Sequence, residues 1–121
     1  MSDPSLVILY VRSPADSAAF YAQLLGKAAA ESSPNFAMFA LGAGLMLGLW
    51  AASEVQPAAT MPGGSELGIT LADRAAVDRC HAAWRAQRIE VIQPPTAMDF
   101  GYTFTALDPD GHRLRVFAPG A

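Results

Sequence analysis

What most constrains this chain is that its first half returns in its second. Leu6, Ile8, Leu9, Val11 and Ser13 are matched 60 positions further on by Glu66, Gly68, Ile69, Leu71 and Asp73, so a strand-like run and the polar residue that closes it come back in register. At an offset of 67, Gly44, Leu47, Gly48, Leu49 and Trp50 fall on Gly111, Leu114, Arg115, Val116 and Phe117. Self-similarity at a fixed spacing is the signature of a duplicated supersecondary unit. The expectation is an α+β chain in which one arrangement of strands and helix is built twice.

The elements of each half follow from local chemistry. Residues 5–11 are rich in β-branched and apolar side chains, and Ser13-Pro14-Ala15-Asp16 then supplies a helix N-cap, a proline at the first helical position and an acidic first turn. The helix carries Ala18, Phe20, Tyr21, Leu24 and Leu25 as its apolar face and stops at Gly26. Residues 36–41 and 45–50 read as two buried strands joined by a turn at Gly42 and Gly44. Residues 51–65, with Pro57, Pro62, Gly63 and Gly64, read as a linker between a first module at 5–50 and a second at 66–118. In the second module, 66–71 is a strand and Asp73 an N-cap. Val77, Cys80 and Trp84 mark the buried face of a helix. Residues 89–92 read as a strand and 93–101 as a loop containing Pro94-Pro95. The last hairpin joins 102–107 to 113–117 across Asp108-Pro109-Asp110-Gly111.

Bulk properties narrow the function. A chain of 121 residues, 52% of them apolar, is enough for one well-buried domain built from two halves. A net charge of −3 with only eight scattered Lys and Arg residues argues against nucleic acid and against an anionic membrane surface. The uncharged run 32–53 approaches the length of a membrane span, but its glycines fit a hairpin better. Cys80 is the single cysteine, so no internal disulfide is expected, and the first residues lack the layout of a signal peptide. The expected compartment is the cytoplasm.

The combination of Arg12-Ser13-Pro14, a helix holding Ala19-Phe20-Tyr21 and closing at Leu25-Gly26, and the terminal segment Leu107-Asp108-Pro109-Asp110-Gly111-His112-Arg113-Leu114 resembles the vicinal oxygen chelate superfamily. That group takes in glyoxalases, extradiol dioxygenases and bleomycin-resistance proteins. The resemblance spans essentially the whole chain and implies two βαβββ modules with sheets curled around a shared cleft, commonly in a homodimer. In metal-using members the ligands come from the first and last strands of each module. Carried onto this sequence, those positions are Leu6, Gly48, Glu66 and Arg115. Only Glu66 is a donor, whereas a catalytic metal wants at least three protein ligands. No metal and no other cofactor is therefore expected.

Other candidates are weaker. His81 lies beside the apolar stripe of its helix and reads as a surface or packing residue. His112 follows the hairpin glycine and is expected to face solvent. Cys80 reads as an inert core thiol, and no nucleophilic triad assembles.

If the four ligand positions face the cleft, strand alternation puts Met46 and Trp50 beside Gly48, and Arg113 and Phe117 beside Arg115. Phe36, Tyr102 and Phe104 are expected to line the same space, with Met98-Asp99-Phe100 over its opening. Glu66 and Arg115 either pair with each other where the metal would sit or leave the arginine to a ligand carboxylate. The segments around Trp50 and Phe100 are most similar to the metal-free, antibiotic-binding branch of the superfamily, notably phenazine-resistance proteins, in which a tryptophan stacks on the ligand. The leading expectation is a metal-independent protein that sequesters a planar aromatic compound or antibiotic. The alternatives are a glyoxalase-like lyase, isomerase or dioxygenase using Glu66, and a module with a collapsed cleft that serves protein interaction.

Overall fold

The run LVILYV forms β1 (Leu6–Val11) in a computed structural model that describes residues 3–120. Ser13 then caps α1 (Pro14–Leu25), its side chain accepting a hydrogen bond from the Asp16 N–H at 3.2 Å. Pro14 occupies the first helical position, where no N–H is needed. Gly26 ends the helix at φ 68°, a left-handed conformation glycine adopts without steric cost, and its N–H reaches the Ala22 carbonyl. The chain continues through β2 (Glu31–Ser32), β3 (Phe36–Ala40) and β4 (Met46–Ala51), with a 3-10 turn over Gly42–Gly44 joining β3 and β4. The apolar stretch is thus a hairpin, and among the described residues no helix is long and apolar enough to cross a membrane.

These four strands form one sheet in the order β1-β4-β3-β2, with β1 parallel to β4 and the other pairs antiparallel. Leu9, Val11, Ala37, Phe39, Leu47 and Leu49 are buried beneath α1. The helix is turned more narrowly than its apolar face suggests. Its buried residues are Pro14, Ser17 and Tyr21, while Phe20, Leu24 and Leu25 are only half-buried. Tyr21 meets Phe39 of the sheet with ring centroids 6.5 Å apart and takes an edge contact from Phe20 at 5.1 Å.

The second unit repeats the order with β5 (Glu66–Thr70), α2 (Arg74–Ala86), β6 (Val91–Met98), β7 (Gly101–Leu107) and β8 (Arg113–Pro119). Asp73 caps α2 by accepting from the Ala76 N–H at 2.8 Å. The sheet order is β5-β8-β7-β6, again with the first pair parallel. Val77 and Trp84 of α2 close over Phe104, Ala106, Leu114 and Val116. The chain divides into these two compact units between Met61 and Pro62, inside the stretch read as a linker; the first residue of that stretch, Ala51, ends β4, and Ala52–Glu54 form a 3-10 turn.

Two elements differ from expectation. β2 is only two residues long and carries no apolar alternation, so no periodicity marks it. The expected loop over 93–101 is mostly strand, because β6 begins at Val91 and runs through Pro94-Pro95 to Met98. Prolines cannot donate to a ladder, and β6 accommodates them as an edge strand with register shifts on either side of Gln93.

Candidate functional site

Each sheet has one face under its helix and one face turned away from it, and the expected site residues divide between the two. On the first sheet, register places Tyr10, Trp50 and Phe36 side by side across β1, β4 and β3. The next rows are Ile8, Gly48 and Met38, then Leu6, Met46 and Ala40. Directly opposed residues share a face, so Trp50, Met46, Gly48 and Phe36 lie on one face of this sheet. Leu6, Ile8 and Tyr10 remain 42%, 38% and 37% exposed, which is high for apolar side chains in a sheet. Gly48 has a specific reason to be glycine. A Cβ there would lie 2.8 Å from Cζ of Phe36 and 3.4 Å from Cγ1 of Ile8, so the room it leaves is taken by the leaning Phe36 ring.

On the second sheet, Glu66 and Arg115 meet. Arg115 Nε donates to Glu66 Oε1 at 2.7 Å and Nη2 donates to Oε2 at 3.1 Å, a two-point ion pair with side chains 20% exposed for Arg115 and 34% for Glu66. Arg115 Nη1 also donates to Gln93 Oε1 and to Thr103 Oγ1, each at 3.2 Å. Thr105 Oγ1 donates to the same Gln93 oxygen at 3.0 Å. The hydrogen bonds from Arg115, followed by its charge and that of Arg113, hold the Glu66 carboxyl below its usual range, overcoming partial burial that pushes the other way. Phe100 stands edge-on to Phe117, with centroids 6.0 Å apart, and the Arg115 guanidinium carbon lies 5.7 Å from the Phe100 ring centre.

Tyr102 and Phe104 do not share this face, and their assignment to the site is corrected. β7 pairs with β8 so that Thr103 and Thr105 oppose Phe117 and Arg115, while Tyr102 and Phe104 oppose Ala118 and Val116 on the helix side. Tyr102 donates its hydroxyl proton to Asp78 Oδ1 of α2 at 2.8 Å and lies under Arg74. Phe104 is fully buried, in edge contact with Trp84 at 5.3 Å and with His81 at 5.2 Å. His81 is accordingly a packing residue. His112 is half-buried rather than solvent-facing. Cys80 is half-buried rather than in the core, where only Val77 and Trp84 of its helix stripe lie, and partial burial pushes its thiol above the usual range.

Gln93, Thr103 and Thr105 were missed, because Pro94-Pro95 disguised β6 and the hairpin sequence left the parity of β7 open. Tyr10 was available from the sequence, since it shares strand parity with Leu6.

The four positions at which the superfamily holds a metal do not fit one here. Leu6 and Gly48 offer no donor atom, Arg115 is a cation, and both oxygens of Glu66 are committed to that cation. Among the described residues, no three His, Cys, Asp or Glu side chains come together as a metal site.

The duplicated βαβββ order, the parallel pairing of first and last strands in each sheet, and the positions of Leu6, Gly48, Glu66 and Arg115 define a glyoxalase-type chain. Residues 5–116 match the model of the Glyoxalase/Bleomycin resistance protein/Dioxygenase superfamily, and the chain belongs to that superfamily. Within it, the chain is 34% identical over 116 residues to the phenazine antibiotic resistance protein EhpR of Enterobacter agglomerans, covering 93% of this chain and 89% of that one. It is 46% identical to an Agrobacterium tumefaciens protein solved by solution NMR, at a TM-score of 0.88 and with full coverage of both chains. A glyoxalase-related enzyme from Fulvimarina pelagi shares the fold, with a TM-score of 0.86 over 98% of this chain and 88% of its own at 21% identity.

Proposed function

We propose that this protein binds a planar aromatic small molecule of antibiotic type, without a metal and without altering it, and protects by sequestration. The observation that carries the reading is the row of Tyr10, Trp50 and Phe36 on the open face of the first sheet, side by side and incompletely buried. A flat ring stacked on such a row gains about 0.5 to 1.5 kcal/mol per aromatic contact beyond the area it buries. Kinship with a protein named for phenazine resistance supports the same ligand class. The donor-poor set at Leu6, Gly48, Glu66 and Arg115 supports metal independence. The reading includes a homodimer acting in the cytoplasm, for which the expected mass in sedimentation is twice 12.7 kDa.

The test uses the two tryptophans. Trp84 is 6% exposed beneath the second sheet, whereas Trp50 is half-buried on an open face. Titration with phenazine-1-carboxamide is expected to quench Trp50 emission saturably, and Trp50→Ala to weaken binding by about tenfold, measured by calorimetry. The compound recovered by chromatography is expected unchanged. A chemically altered product, or Trp50→Ala binding as tightly as the parent, overturns the proposal.

A further inference from the structure

Arg115 is unusual among the polar groups of the second sheet because it is nearly used up. A guanidinium has five N–H donors. Nε and one Nη2 hydrogen go to the Glu66 carboxylate, and the two Nη1 hydrogens go to Gln93 and Thr103. One Nη2 hydrogen is left. The group is held on three sides, so the remaining donor is fixed in direction, and its charge is matched by a carboxylate at hydrogen-bond distance. Beside it, Phe100 is 45% exposed and stands edge-on to Phe117. Gly68, opposite Arg115 in the parallel ladder, leaves open space, since a Cβ there would meet only the Phe117 ring at 3.7 Å.

A fixed donor beside exposed aromatic surface suits a ring bearing an acceptor. A free arginine would prefer a carboxylate, but here an incoming carboxylate must either displace Glu66 or approach its negative charge. Arg113, in register with Glu66, is exposed, so its charge is largely screened by solvent. We infer that the open face of the second sheet is a recognition site for the uncharged acceptor group of an aromatic ligand, a carbonyl, ester or amide, and that Glu66 sets this preference by neutralising Arg115. The inference rests on the small-molecule-binding role proposed above and adds the chemistry of the group recognised.

The experiment is an NMR titration of the whole protein at pH 7.5 with phenazine-1-carboxamide and, separately, phenazine-1-carboxylate, which differ in charge at one substituent. The Arg115 Nε–H signal reports on the second sheet and the Trp50 indole N–H on the first. The carboxamide is expected to shift the Arg115 signal with at least about tenfold higher affinity than the carboxylate, and Glu66→Gln to reduce that ratio to about threefold or below, or invert it. Phe100→Ala, which leaves the ion pair in place, is expected to weaken the Arg115 response to both compounds about equally. It also serves as the second variant should Glu66→Gln fold poorly. A wild-type preference for the carboxylate, a ratio untouched by Glu66→Gln, or an Arg115 signal that neither compound moves overturns the inference. Movement at Arg115 without movement at Trp50 instead removes the stacking site on the first sheet and leaves this inference standing. If neither compound moves the Arg115 signal or the Trp50 signal, both proposals are overturned.

Discussion

The ion pair on the second sheet answers to pH through the titration of Glu66. The folded-state pKa of Glu66 lies below its ordinary value of 4.5, chiefly because Arg115 hydrogen-bonds to its ionised form. A depressed carboxyl contributes stability that is fully present above the unfolded value and is lost as pH falls through the folded one. At pH 7, Glu66→Gln is expected to be less stable than the parent by no more than about 1 kcal/mol, the range for partly exposed pairs. Urea denaturation at intervals from pH 7 to pH 3 is expected to show that difference shrinking below pH 4.5, where the parent protonates. A difference that stays constant over the whole range would remove the ion pair as its source. Whether these two residues would pair or stand apart was open in the sequence, because a strand pattern gives their parity but not the distance between their side chains.

At the scale of elements, the β7–β8 hairpin carries the register on which the second face depends. Asp108 is 5% exposed, and its Oδ1 accepts from the backbone N–H groups of Asp110 and His112, both at 2.9 Å. The Asp-Pro-Asp-Gly sequence announced a turn of this kind. The turn fixes Leu107 opposite Arg113, and through that pairing it sets Thr105 opposite Arg115. Asp108→Ala removes the side-chain acceptor of two backbone N–H groups at the turn and is expected to cost about 2 kcal/mol in chemical denaturation, with Asp108→Asn recovering more than half because its amide oxygen can still accept. Equal losses in the two variants would argue against the hydrogen bonds. The same hairpin shows where sequence reading ends. Turn residues identify the connection, but its pairing decides that Tyr102 and Phe104 point toward α2, and a run alternating Tyr-Thr-Phe-Thr is compatible with either face. Edge strand β6 was hidden for a different reason, since its two prolines are tolerated only where a ladder is one-sided.

Over the whole molecule, the duplication legible in the sequence reappears as strand register. Leu6 pairs with Met46 in the first sheet, and Glu66 pairs with Arg113 in the second, residues displaced by the same 60 and 67 positions that relate the two halves. The backbone plan has been kept while the open faces have diverged, one to Leu6, Ile8, Tyr10 and Trp50, the other to Glu66, Arg113, Arg115 and Phe117. A ligand held by the folded protein alone stabilises it by mass action, about 2.7 kcal/mol when present at 100 times its dissociation constant. For a chain of this size that corresponds to a rise in Tm on the order of 10 °C. Phenazine-1-carboxamide is expected to produce such a rise in differential scanning fluorimetry. At the same concentration Trp50→Ala, bound about tenfold more weakly, is expected to show about half of it. Because Leu6, Gly48 and Arg115 supply no metal donor and Glu66 is occupied, pretreatment with a chelator is expected to leave both the Tm and the ligand-induced rise unchanged. A rise that vanishes with the chelator and returns with added divalent metal would place a metal in the binding site and favour the catalytic members of the superfamily as the closer functional comparison.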